Sequence, residues 1–204
     1  MNNALIYSAW VLGGYLVGGV PFGFLIGKAR GVDVRTVGSK NIGATNVYRT
    51  VGHKWGFLAF FCDFLKGLLP TLGAQWYLSH MAADNGVLVH LPMAVGFACV
   101  LGHTLTPYMK FKGGKGVATA FGMLMALLTI PVSIAFGVFV ITVWLSHYIS
   151  LGSCLAALTI AVLVWFFPAT LPLRILVSLL GAFVIYKHKS NIQRLVKGCE
   201  NKIY

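Results

Sequence analysis

Acidic side chains are nearly missing from this chain. Among its 204 residues there are four, Asp33, Asp63, Asp84 and Glu200, against 16 Lys and Arg. Two-metal phosphotransfer and aspartyl chemistry need clustered carboxylates, and four acids so far apart in sequence build no such cluster. Charge of either sign is scarce, at 10% of residues, where a soluble domain carries roughly a quarter. With 58% hydrophobic residues and a mean hydropathy of +0.82, the composition is that of an integral membrane protein. Cys62, Cys99, Cys154 and Cys199 form no CxxC pair and have no His in ligand spacing. Neither a disulfide nor a metal site is expected, and no cofactor motif is present. Met1-Asn2-Asn3 lacks the positive leader region of a signal peptide, whereas Lys28 and Arg30 follow the first apolar run. The first segment therefore reads as a retained span with its N-terminus outside.

The few charges are not scattered. Six Lys and Arg lie in 28–54, three in 110–115 and five in 187–202, leaving Lys66 and Arg174 inside apolar stretches. Apolar segments run from about Ala4 to Gly27 with a kink expected at Pro21, from Trp55 to Leu78, and from Val87 to Met109, with Ser79 to Gly86 a turn free of basic residues. Breaks at 129–131, 147–152 and 168–172 divide the remainder into about 117–129, 131–147, 152–167 and 172–186. The first of these pieces is short, roughly 20 Å at 1.5 Å per residue, against ~30 Å of hydrocarbon. The three basic regions share one side of a membrane only if even numbers of spans separate them, and this division supplies two and then four. The reading is an all-α membrane protein of seven spans, one of them short, N-terminus outside and C-terminus cytoplasmic, forming a single domain over 1–204. On this reading the net charge of +12 reflects cytoplasmic loops and not nucleic-acid binding. Gly13, Gly14, Gly18 and Gly19 would allow close helix contact, and Asp63 with Lys66, three residues apart, could pair on one helix face.

That topology collects three unusual polar stretches at the cytoplasmic surface. The first, Gly38 to Arg49, interleaves Ser39, Asn41, Thr45, Asn46 and Arg49 with small residues, offering hydroxyl and amide hydrogen bonds and one guanidinium fork. The second contains Phe111-Lys112-Gly113-Gly114-Lys115-Gly116, followed at once by a helix start. Glycines let the backbone approach a ligand, and the N–H groups of a helix start favour an anion. Alone the hexapeptide fits a phosphate site or a positive-inside loop equally, and the topology makes the two compatible. It is not a P-loop, since Gly116 follows Lys115 where Ser or Thr would stand. The third stretch, Lys187 to Glu200, carries His188, Asn191 and Arg194, with Ile192, Leu195 and Val196 fitting a short interfacial helix. Arg49, Lys112, Lys115, His188 and Arg194 together would suit two phosphates.

These stretches resemble the acyl-phosphate-dependent glycerol-3-phosphate acyltransferases, the PlsY type. That family's motif GSxNxGATNxxR is matched from Gly38 to Arg49. Its motif GHxxPxFxxFKGGKGVATxxG is matched at Gly102, His103, Phe111 to Thr119 and Gly122, with Pro107 one residue later. Its basic-His-x-x-Asn-Ile-x-Arg-Leu-x-x-Gly-x-Glu run is matched from His188 to Glu200. Pro21-Phe22-Gly23, Gly31-Val32-Asp33 and Asp63-Phe64-Leu65-Lys66-Gly67 extend the resemblance to nearly full length. Lys40 stands where the family commonly has Gly, and Lys187 where it has Arg.

The resemblance implies transfer of a fatty acyl group from acyl phosphate to the 1-hydroxyl of sn-glycerol 3-phosphate at the cytoplasmic face of a bacterial inner membrane. It puts His188, Ser39, Arg49 and Asn191 in catalysis, and Asn41, Asn46, Lys112, Gly113, Gly114, Lys115, Arg194 and Glu200 in substrate binding. Partners are the two small-molecule substrates and membrane lipid. His188 is either a general base or, as favoured, a phosphate donor; Ser39 is a conceivable nucleophile. Asn46 and Thr45 shape the first loop or touch substrate, and Glu200 orients a lysine or His188 or is merely exposed. His103 reads as structural, and His53, His80, His90 and His147 as interfacial or packing residues. None begins an HxxxxD pattern, so acyltransferases of that class do not fit. The rivals are an organic-phosphate transporter, whose site should lie at mid-membrane, and a lipid-binding factor without chemistry. Arg49 and His188 are expected beside the hexapeptide.

Overall fold

The computed structural model describes residues 3–81 and 87–203; the turn expected at 79–86 falls largely outside them, with Asp84, while Ser79 to Met81 complete a helix. Every regular element among the described residues is helical. Among the described residues, four segments are long and apolar enough to cross a membrane: Asn3–Ala29, His53–His80, Leu88–Met109 and Thr129–Ser146. Leu171–Lys187 joins them if its continuation across a 56° bend into Lys189–Val196 is counted, and Val117–Leu127 and Ile149–Leu163 are shorter apolar helices. Two of the expected apolar pieces are therefore short, since 149–163 stops well before 167. The chain packs as two compact units, divided after Leu127.

In the first unit the opening segment breaks at Val20-Pro21 into α1 (Asn3–Gly19) and α2 (Phe22–Ala29). Proline lacks the N–H that would continue the ladder, so the carbonyls before it need other donors. One comes from α4 (His53–Met81): Lys66 Nζ donates to Val20 O at 2.8 Å. The same ammonium lies 2.7 Å from Asp63 Oδ1, both side chains being almost wholly buried. The expected pair on one helix face is thus an ion pair that also seals a helix break. Its third neighbour is His103, on the last turn of α5 (Leu91–Thr104), with Nδ1 3.5 Å from Asp63 Oδ1.

Glycines bring the backbones of two helix pairs together. A Cβ on Gly18 of α1 would stand 2.4 Å from Cys99 Cα of α5, and one on Gly102 would stand 2.1 Å from Tyr15 O. Between α4 and α6 (Val117–Leu127) the contact is reciprocal, Gly67 against Thr119 O and Gly122 against Phe64 O, at 2.1 and 2.0 Å for an added Cβ. Such contacts suit lipid, where burial of apolar surface gives helices little reason to associate and close backbone packing must do so. Of the four glycines singled out in α1, Gly13 alone faces open space. At 11 residues α6 spans roughly 16 Å, so its last carbonyls end among helices, and Gln75 Nε2 of α4 reaches Ala126 O at 3.3 Å.

The second unit holds α7 (Thr129–Ser146), α8 (Ile149–Leu163), α9 (Leu171–Lys187) and α10 (Lys189–Val196). The break before α7 lies at Leu128, and Pro131 sits in the first turn, where its missing N–H costs nothing. α8 packs between α7 and α9, and α10 lies on α8 and α9. Ala157, Ile160, Val164, Val177, Leu180 and Val184 make its core. His147, in the left-handed region at φ 64°, turns the chain from α7 into α8.

Lys66 carries a sharp expectation. Replacing it by Met leaves Asp63 buried without its cation, which costs about 3–5 kcal/mol. The unfolding temperature in detergent should fall accordingly, and the double substitution Asp63→Asn/Lys66→Met should recover most of the loss.

Candidate active site

The first polar stretch is a loop folded onto α3 (Ala44–Thr50) over a small core of Val34, Ile42, Val47 and Ala59. Asn46 organises it. This residue is 1% exposed; its Nδ2 donates to Val34 O and Val37 O at 2.8 and 3.2 Å, and its Oδ1 accepts the Ser39 N–H at 2.9 Å. Both amide donors are spent on backbone, so of the two roles open to Asn46 the structure gives it the shaping one. Asn41 Oδ1 accepts the Gly43 N–H at 2.8 Å, forming the turn that opens α3. Ser39 is exposed at the loop tip, and Arg49 is half-buried on α3. The helix is tied to α4 by Tyr48, stacked on His53 with centroids 4.2 Å apart. Nearby, the Arg35 guanidinium forks onto Asp33 and holds its carboxyl down to about 2.

Lys40 is in the left-handed region at φ 57°, as is Gly38 at φ 58°. The position where the family commonly has Gly is thus one whose backbone favours Gly, and Lys occupies it under strain. A Cβ on Gly38 would meet Asn46 Oδ1 at 2.3 Å, so that position tolerates nothing larger.

The glycine hexapeptide lies against the end of α5. The Gly113 N–H donates to Thr104 O at 3.2 Å and the Gly114 N–H to His103 O at 3.1 Å. These two donors therefore close the C-terminal carbonyls of α5 and are not presented to a ligand, which alters the part expected of both glycines. Their small size is needed all the same: an added Cβ would stand 2.0 Å from His103 O at Gly113 and 2.2 Å from His103 Nε2 at Gly114. The positive groups of this stretch are Lys112, exposed, Lys115, half-buried, and the first-turn N–H groups of α6 beyond Gly116, a set whose charge would suit an anion. Upstream, Lys110 and Phe111 are both left-handed, at φ 51° and 60°.

In the second unit His188 sits at the bend between α9 and α10, 3% exposed, its Nδ1 2.8 Å from Val184 O. A carbonyl can only accept, so Nδ1 carries the proton; Nε2 then offers a lone pair when the ring is neutral and an N–H only when it is protonated. Lys187, where the family has Arg, places its ammonium over Phe183. Glu200 is 7% exposed and accepts from Asn191 Nδ2 at 2.6 Å, Arg194 Nε at 2.6 Å and Ser150 Oγ at 2.9 Å. It orients Asn191 and Arg194 instead of a lysine or His188, and its oxygens are committed to that task. Ser150 carries no signal in the sequence, being a lone serine in an apolar run. The three donors outweigh the effect of burial, which alone would raise it, and hold the Glu200 carboxyl below its ordinary value.

Two outcomes follow. A depressed folded-state value means that Glu200 contributes stability at neutral pH, which is lost as pH falls through the acid range. The unfolding temperature of Glu200→Gln should therefore lie below that of the parent at pH 7, and the gap should close on acidification. Lys40→Gly relieves a left-handed side chain and should raise stability by about 1 kcal/mol, read by the same thermal measurement.

Residues 8–198 match the model of a family described as glycerol-3-phosphate acyltransferase. A relative of that name from Trichlorobacter lovleyi is 48% identical over 195 residues, covering 95% of both chains. One from Aquifex aeolicus is 43% identical, covering 94% of this chain and 96% of its own. Among solved structures, PlsY (YgiH), described as an integral membrane glycerol 3-phosphate acyltransferase, in its glycerol 3-phosphate form superposes with a TM-score of 0.87 at 37% identity, covering 96% of this chain and 94% of that one. Its lysophosphatidic acid form gives 0.84 at 36% identity over the same shares. With a family model spanning nearly its whole length and relatives this similar, the chain belongs to the glycerol-3-phosphate acyltransferase family, an integral membrane acyltransferase of PlsY-like fold.

Proposed function

We propose that the protein transfers a fatty acyl group from acyl phosphate to the 1-hydroxyl of sn-glycerol 3-phosphate, the first acylation of phospholipid synthesis. The observation that carries this reading is the near full-length likeness to a structure described in both a glycerol 3-phosphate form and a lysophosphatidic acid form. The three matched motifs support it.

The 1-hydroxyl oxygen attacks the acyl carbon, the bond from that carbon to the phosphate oxygen breaks, and the hydroxyl proton passes to the departing phosphate or to His188 Nε2. The products are 1-acylglycerol 3-phosphate and inorganic phosphate. An acyl phosphate is an activated anhydride, so alignment and neutralisation of charge supply most of the rate. Lys112 and Lys115, with Gly113 and Gly114 holding their loop, take one phosphate. Arg49, Ser39 and Asn41 engage the other substrate's polar atoms. Asn191 and Arg194, oriented by Glu200, serve the same reaction, with His188 as phosphate donor when protonated and base when neutral. The charge distribution supports seven spans, the N-terminus outside and the basic regions in the cytoplasm.

Purified protein given labelled glycerol 3-phosphate and a long-chain acyl phosphate should form labelled lysophosphatidate and release phosphate. Arg49→Ala and Lys115→Ala should each lower kcat/KM about 10- to 100-fold, the worth of one hydrogen bond to a charged group. Counterflow of glycerol 3-phosphate in proteoliposomes without lysophosphatidate would replace the reading by transport.

A further inference from the structure

Three ionisable side chains, Asp63, Lys66 and His103, are buried together in the first unit, at 2%, 4% and 6% exposure, where none is assigned to the reaction. Burying ionisable groups among apolar helices is expensive, and a well-packed apolar set of similar volume is often at least as stable. The Lys66 bond to Val20 O accounts for one of the three. Asp63 supplies the counter-charge of that ammonium at 2.7 Å, so His103 is the one that calls for a further reason, and its surroundings supply it.

The His103 ring lies between two things. On one edge, Nδ1 is 3.5 Å from Asp63 Oδ1, and that carboxylate is itself held 2.7 Å from Lys66. On the other edge is Gly114: a Cβ there would stand 2.2 Å from Nε2, 3.0 Å from Cε1 and 3.1 Å from Cδ2. The Gly114 backbone therefore rests on the ring. Just beside it, the N–H groups of Gly113 and Gly114 bond to Thr104 O and His103 O. The glycine loop thus meets α5 twice through its backbone and once through this side chain, and the two lysines of the hexapeptide immediately flank the pinned pair.

We propose that His103 is a positioning residue: its ring is the platform that sets the height of the Gly113–Gly114 segment and hence of Lys112 and Lys115, and Asp63, clamped by Lys66, fixes the ring. An apolar side chain at 103 could fill the same volume, but no partner would determine its direction. Displacing a binding group by about 1 Å is enough to cost on the order of 100-fold in rate, so a platform with a fixed direction has a use that stability alone does not explain. The proposal rests on the reading that Lys112 and Lys115 hold a substrate phosphate.

The test is a double-substitution cycle with kcat and both KM values measured for the parent, His103→Ala, Gly114→Ala and the pair. Each single substitution should raise the KM for the same phosphate substrate about 10-fold while kcat stays within about threefold, the pattern of lost binding rather than lost chemistry. The pair should be no worse than the worse single, because the added methyl occupies space the ring has left. Asp63→Asn should raise the same KM in the same direction. If His103→Ala does not fold, the cycle is run with His103→Gln, whose flexible end can swing away from the added methyl. Multiplicative effects, or a lower unfolding temperature with both KM values unchanged, would overturn the proposal. Lys112→Ala and Lys115→Ala separate the two readings. If they leave both KM values unchanged, the phosphate-holding reading fails; if they raise one while the cycle is multiplicative, only the platform fails.

Discussion

A backbone carbonyl surrounded by apolar side chains must find a donor within the protein, and this fold depends on how that demand is met wherever a helix stops short. A continuous helix satisfies itself; a broken one does not. At the Pro21 break Val20 O takes Lys66 besides the Phe22 N–H, at the end of α6 the donor is Gln75, and at the end of α5 it is the backbone of Gly113 and Gly114. At the end of α9 His188 Nδ1 serves Val184 O. Several groups that look functional in the sequence are thus also the pieces that close helix ends.

This double duty explains the burial of Asp63. An ammonium among apolar helices needs a counter-charge, and Asp63 supplies it at 2.7 Å. The loops then need only small local cores. Asn46 draws Val34, Val37 and Ser39 onto α3, and Glu200 draws Ser150, Asn191 and Arg194 together. In both, one buried polar side chain takes several hydrogen bonds, and residues such as Ser39 are left facing outward.

The glycines divide by physical cause. Gly67 and Gly122 are small because two helix backbones meet there; Gly38 is glycine because its backbone is left-handed and Asn46 crowds it. Lys40 shares that backbone conformation without sharing the residue type. Glycine letters alone do not separate these cases, and neither do they show that the Gly113 and Gly114 N–H groups are already engaged.

The sequence by itself determined the helical class, the break at Pro21, the family and the three motif stretches, because hydropathy, proline chemistry and motif spacing are local properties carried by adjacent residues. It also brought Asp63 and Lys66 together, since three residues apart on a helix is a contact. Only the tertiary structure decided that Lys66 serves Val20, that His103 stands between Asp63 and Gly114, and that Glu200 orients Asn191 and Arg194. Those partners are 6 to 46 residues apart and are not neighbours on one helix face, and no local pattern says which buried donor faces which acceptor.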